Sequence, residues 1–205
     1  MSSLLPEPVP AEGGRPNPRD ELLAVAVRLF AVNGYGATSI QAIAEAAGYA
    51  KSSVLYHFGS KEALLEAVLE PAAPRFEALA DEVLDAIPDP KRNREFIGRF
   101  VDFLIDNSFA ISIVLNQGQS LKESAAIMRA TESIRKLATK LAGASVEKAQ
   151  QLRFGVALGG SAYIIAAAVH WLSDADVAEP AEARDALTRL LEELLAPEHF
   201  AMPNA

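Results

Sequence analysis

Three glycines, Gly34, Gly48 and Gly59, divide residues 19–69 into short apolar runs at helical spacing, and this punctuation constrains the chain more than any other feature. The spacing predicts three short helices joined by tight turns, then the start of a fourth. Asn17-Pro18 opens the first, with Asn as N-cap and Pro at the first helical position. Leu22, Leu23, Ala26, Leu29 and Phe30 form its apolar stripe, and Gly34 ends it. Thr38 and Gln41 read as a capping box for the second helix, whose inward face is Ile40, Ile43, Ala44 and Ala47. After the turn at Gly48, a third helix runs from Ala50 to Phe58, and Ser60 caps the fourth. An apolar helix, a glycine turn and a second helix carrying Lys51, Ser52, Ser53, Tyr56 and His57 is the arrangement that presents a helix to the DNA major groove.

Beyond residue 69, Pro71 and Pro74 predict a kink or short break, which would make residues 60–70 a separate lever; helix resumes from 75 to 87. Pro88-Asp89-Pro90 marks a boundary. Helices are then expected over 94–106, 108–116, 120–141, 145–172 and 181–195, with loops at 117–119 and 174–180. No strand is needed, and the abundance of Ala and Leu agrees with an all-α fold.

Composition narrows the chemistry. The 205 residues include no cysteine, so neither disulfides nor a thiolate metal site can form. The three histidines, at 57, 170 and 199, do not suggest a metal cluster, and no nucleophile–base pair or glycine-rich phosphate loop suggests an enzyme. No metal and no cofactor is expected. Residues 1–16, rich in Pro, Gly, Ser and Glu, read as a disordered tail rather than a signal peptide, so a cytoplasmic protein is expected. The net charge of −8 argues against a broad basic surface. Residues 1–62 carry five Lys/Arg against six Asp/Glu, whereas residues 63–205 carry fourteen against twenty-one. Nucleic-acid contact at the N-terminal end must therefore rest on a few placed cations, hydroxyls and helix N-termini.

The ordered set Phe30, Gly34, Tyr35, Thr38, Ser39, Ile40, Ile43, Ala44, Ala47, Gly48, Phe58, Ser60, Lys61, Glu62 and Leu64 resembles the DNA-binding domain of TetR-family transcriptional regulators. Two positions depart from the family pattern: Ala50 stands where Ser or Thr often caps the recognition helix, and Leu55 where many members carry an aromatic. The resemblance implies a helix-turn-helix domain over 17–62 and an effector-binding and dimerisation domain over 63–205. The expected DNA-contacting residues are Thr38, Lys51, Ser52, Ser53, Tyr56, His57 and Lys61. Lys51 and the serines occupy the first turn of the recognition helix, where guanine edges or phosphates are reached. Tyr56 and His57 can donate to phosphate, and Thr38 and Lys61 lie at helix N-termini that favour one. The plainer alternatives are that Thr38 only caps a helix and that Lys61 is merely solvated. Arg15 and Arg19 read either as a minor-groove arm or as a solvated tail.

In the C-terminal half, Phe96, Phe100, Phe103, Phe109, Ile113 and Met128 are candidate linings of an effector pocket, the alternative being ordinary core. Asp102, Asp106, Asn107, Asn116 and Gln117 can supply a polar contact there or be plain surface. Residues 154–172 carry no Asp, Glu, Lys or Arg, a length that invites a membrane reading. Gly155, Gly159, Gly160, Ser161 and His170 argue against it. A helix apolar on all sides also results when one side meets the core and the other a partner subunit. Gly159, Tyr163, Ala167, Trp171, Leu187, Leu191 and Leu194 are the expected homodimer interface. The whole predicts an all-α homodimeric repressor that binds a palindromic double-stranded DNA operator and is released by a small, largely apolar effector, with no membrane partner. A helical small-molecule carrier, or a regulator without an effector, is the rival reading.

Overall fold

A computed structural model describes residues 17–143, 147–171 and 180–199, except for the side chains of His170, Trp171 and Pro180. Arg15, the tail over 1–16, Ser145 and most of the expected loop over 174–180 lie outside the described residues.

The first helix, α1 (Pro18–Asn33), begins where the Asn17 side chain accepts from the Arg19 N–H, with Pro18 at its first position. Gly34 ends it at φ +86°, a conformation that a side chain would resist. α2 (Ile40–Ala46), α3 (Lys51–Phe58) and α4 (Lys61–Leu69) follow, separated by Gly48 and Gly59, both at positive φ. Ser39, not Thr38, caps α2: its hydroxyl accepts from the Ala42 N–H at 3.0 Å. Ser60 caps α4 through the Ala63 N–H, whereas Ala50 leaves α3 without a side-chain cap. Leu22, Ala26 and Phe30 of α1 are fully buried with Ile43, Ala44, Val54 and Leu64. Each large side chain so removed from water contributes about 1.5–3 kcal/mol.

α5 (Ala72–Ala86) starts three residues earlier than expected. The break falls at Glu70-Pro71, and Pro74 lies in the first turn of α5, where its missing N–H costs little. α6 (Pro90–Asp106) likewise starts at Pro90 rather than 94, because Asp89 accepts from the N–H groups of Lys91 and Arg92, both at 2.9 Å. α7 (Ser108–Gln117) ends in turns, so α8 (Ala125–Gly143) begins later than the expected 120. The long apolar run is α9 (Lys148–Phe154), a π-helical stretch over Gly155–Gly160, and α10 (Ser161–Trp171). α11 (Pro180–Leu194) and a 3-10 turn at Pro197–His199 complete the described chain. No described residue lies in a strand.

Two hydrophobic cores organise these helices. One joins α1–α4 with Ala110 and Ile113 of α7 and Ala126 and Ile127 of α8. The other joins α5, α6, α9, the π-helical stretch and α11. The division expected after residue 62 is therefore not a division of the core, since Leu64, Leu65, Val68 and Leu69 of α4 pack with α1. The segment Lys148–Val169 has the length and hydropathy of a membrane span. One side of it is buried in this fold through Phe154, Ala157, Leu158 and Ala166, while Leu152, Val156, Tyr163 and Ile164 on the other are more than half exposed.

Candidate DNA-contacting surface and effector cavity

α3 is two-faced. Val54 and Phe58 are buried and hold the helix on α1 and α2, which leaves Lys51, Ser52 and Tyr56 exposed on the opposite side. Tyr56 is 85% exposed, an unusual position for a large aromatic side chain that contributes nothing to the core. Its ring stands edge-on to His57 at 5.2 Å; His57 and Ser53 lie on the flank, half-buried. An exposed cation, a hydroxyl and a phenol on one helical face form a mixed donor and acceptor surface suited to base edges and phosphates.

The start of α4 extends this surface. Lys61 Nζ lies 4.1 Å from the centre of the Tyr35 ring, a cation–π contact, and the Tyr35 hydroxyl donates to Glu62 Oε1 at 3.1 Å. Burial, then the hydrogen bond and charge of Glu62, push the Tyr35 phenol up to about 12. Partial burial lowers Lys61 from its ordinary value, with the Glu62 charge opposing. The Glu62 carboxyl is held low by its own backbone N–H, the Ser60 hydroxyl and Tyr35. Lys61 is thus oriented on an aromatic platform rather than loosely solvated.

Thr38 is placed otherwise than the sequence suggested. It is 3% exposed, and its one hydroxyl proton is shared between the carbonyls of Leu29 at 3.0 Å and Gly34 at 2.9 Å. That hydroxyl is turned into the domain, away from any phosphate, and the exposed Ser39 takes the capping position. Either of two adjacent hydroxyl residues can cap a helix, and only the buried register of the first core separates them. Arg19 is likewise no free arm, because its guanidinium lies over the Phe58 ring at 5.2 Å.

A cavity of about 310 Å³ lies where the two cores meet. Its walls come from α4 to α10 and include Phe76, Phe103, Ile111, Ile134, Leu137 and Leu158. Glu70, Arg129 and Ser133 are the polar residues among an otherwise apolar lining. Of the six lining candidates, Phe100 and Phe103 are there. Phe96 and Ile113 are closed into the cores, Phe109 packs against the first core under Arg28, and Met128 points outward, 58% exposed. The missed signal was on α8, where Ala130, Ile134, Leu137 and Leu141 repeat at helical spacing.

None of the five candidate polar contacts lines the cavity. Asp102 pairs with Arg184 at 2.8 Å and Asp106 with Arg75 at 2.9 Å. Asn107 donates to the Phe103 carbonyl, Asn116 to Ser112, and Gln117 reaches the first domain. The interface candidates also divide. Gly159 and Tyr163 are exposed and Ala167 is half-buried. Leu191 is 1% exposed, with Leu187 and Leu194 packed beside it, because α11 turns this stripe onto α6; Leu190 faces out instead.

Residues 22–68 match the family model described as bacterial regulatory proteins, tetR family. Over these residues the chain is similar to that family. A 66-residue stretch is 39% identical to the HTH-type transcriptional repressor KstR2 of Rhodococcus jostii (strain RHA1), covering 32% of each chain. The match thus spans about a third of the length of that curated relative. Over nearly the whole chain the fold is that of the ketosteroid transcriptional regulator KstR2 of Mycobacterium tuberculosis. The TM-score is 0.64 at 18% identity, over 93% of this chain and 98% of the other. The TetR family regulator PfmR from Thermus thermophilus aligns with a TM-score of 0.54 at 25% identity, over 83% and 96% of the two chains.

Proposed function

We propose that this protein is a transcriptional repressor that binds a palindromic operator as a homodimer and is released by a small, largely apolar effector. The observation that carries the reading is the outward face of α3, where Lys51, Ser52 and Tyr56 stand exposed over a helix pinned by Val54 and Phe58. Ser53, His57 and Lys61 flank that face and complete the DNA-contacting set; Thr38, buried with its hydroxyl turned inward, is not part of it.

In a dimer, two such helices enter successive major grooves, about 34–36 Å apart or somewhat more. The second copy covers the exposed apolar side of α9, the π-helical stretch and α10, with Leu152, Val156, Tyr163 and Ile164, and Leu190 of α11. The cavity volume, about 310 Å³, suits a small organic effector, and the hydrocarbon lining favours an apolar one. Such an effector weakens DNA binding only to the extent that it prefers the conformation with the incompatible helix spacing. A repressor of this kind acts in the cytoplasm. The test is binding of the purified protein to its own upstream intergenic DNA and, failing that, selection of bound fragments from the whole genome. Recovery of a palindromic site supports the reading; a genome-wide selection without enrichment contradicts it.

A further inference from the structure

The Gln117 side chain joins the cavity-walling helix α7 to the DNA-binding unit. Gln117 is the last residue of α7, the helix whose Ile111, Val114 and Leu115 line the cavity and whose Ala110 and Ile113 pack into the first core. The Gln117 Nε2 donates to the Phe30 carbonyl at 2.7 Å, and its Oε1 accepts from the Tyr35 N–H, also at 2.7 Å. One carboxamide therefore bridges the end of α1 and the start of the α1–α2 connection, across more than 80 residues of sequence. Only this orientation of the amide satisfies both contacts, since a carbonyl cannot donate and an N–H cannot accept.

The backbone beneath Gln117 is fixed as well. Its carbonyl accepts from the N–H groups of Ser120 at 3.0 Å and Leu121 at 3.1 Å. The next residue, Gly118, turns so tightly that a Cβ there would meet the Val114 carbonyl oxygen at 2.5 Å. At the far end, Tyr35 carries Lys61 on its ring and Glu62 on its hydroxyl. The route from cavity wall to α4 N-terminus is continuous: α7, Gln117, Tyr35, Lys61.

We infer that Gln117 is a positioning residue that fixes the orientation of the DNA-reading unit on the cavity-bearing half, and through it the separation of the two recognition helices. This rests on the proposed dimeric, operator-binding function. The shared core couples α7 to α1, and the Gln117 amide carries movement of α7 against a filled cavity on to Tyr35. The Gln117 amide therefore governs selectivity for half-site spacing rather than contact within one half-site.

The experiment compares binding of the full-length protein to its selected operator and to the same duplex with one base pair inserted between half-sites. Gln117→Met keeps the volume and removes both hydrogen bonds. Gln117→Glu still accepts from the Tyr35 N–H but sets a carboxylate oxygen against the Phe30 carbonyl. Both variants are expected to lower the preference for native spacing about fivefold or more, the low end of ordinary coupling between sites. Amide exchange at Tyr35 should accelerate in the Met variant and stay slow in the Glu variant. A glutamine that serves stability alone would weaken binding to both duplexes by one common factor. An unchanged spacing preference in both variants overturns the inference, while the unmodified protein still binding its operator leaves the regulator reading standing. Failure of the unmodified protein to bind any DNA specifically defeats that reading, and the inference with it.

Discussion

Tyr35, Thr38 and Lys61 each occupy a place that their residue type alone does not determine. Thr38 carries a small hydroxyl, equally suited to a helix cap, a phosphate contact or a buried bond. The packing of α1 against α2 selects the last, with donation to Leu29 and Gly34. Thr38→Val keeps the shape and removes the hydroxyl, while the Gly34 carbonyl keeps the Thr38 N–H, so it should destabilise the domain by about 0.5–1.5 kcal/mol in denaturant titration. Operator affinity of the folded variant should be nearly unchanged; a large loss of affinity with unchanged stability would return Thr38 to the DNA-contacting set. The exposed positions of α3 were legible in the sequence, because Val54 and Phe58 set the buried side and the 3.6-residue period gives the rest. The Lys61–Tyr35 platform and the Gln117 bridge were not, since both join residues 26 or more apart and no local pattern encodes such a pairing.

Helix ends followed their capping chemistry closely where one residue could supply the bond, as at Asn17, Asp89 and Ser60. They departed where tertiary contact supplied the partner. α8 opens late because Glu66 of α4 reaches its first turn, accepting from the Ala126 N–H at 2.9 Å and the Ser124 hydroxyl at 2.9 Å and pairing with Arg129 at 3.2 Å. Burial raises the Glu66 carboxyl, but Ala126, Ser124 and Arg129 together hold it below its ordinary value of 4.5. A carboxylate depressed in the folded state contributes stability that is present above its unfolded value and lost as pH falls through its folded one. The thermal stability of the protein should therefore exceed that of Glu66→Gln at pH 6. The two curves should converge as pH falls below about 4.5, the ordinary Glu66 value. A constant difference down to pH 3 would mean that Glu66 does not tie α4 to α8 as a carboxylate.

Across the molecule, the α1–α4 core is shared with α7 and α8, and those same helices wall the cavity, so the two halves are mechanically joined rather than strung on a linker. The apolar run of 154–172 was readable as a helix with two apolar sides, yet which α11 leucines face outward depended on α11 packing against α6, a long-range outcome. Ile164→Glu, on the exposed side of α10, should convert the proposed dimer to a monomer in light scattering, since a carboxylate buried in an apolar interface costs several kcal/mol. A dimer that persists would place the interface elsewhere. The proposed function requires that α3 read DNA. Its most direct test is operator binding by the wild type, Lys51→Ala and Tyr56→Ala across a range of salt. Specific binding should weaken with salt, and each variant should lose about 1–3 kcal/mol of binding without loss of stability. If Lys51 contacts phosphate, its variant should also flatten the salt slope by about one. Specific binding that both substitutions leave unchanged would mean that α3 does not read DNA.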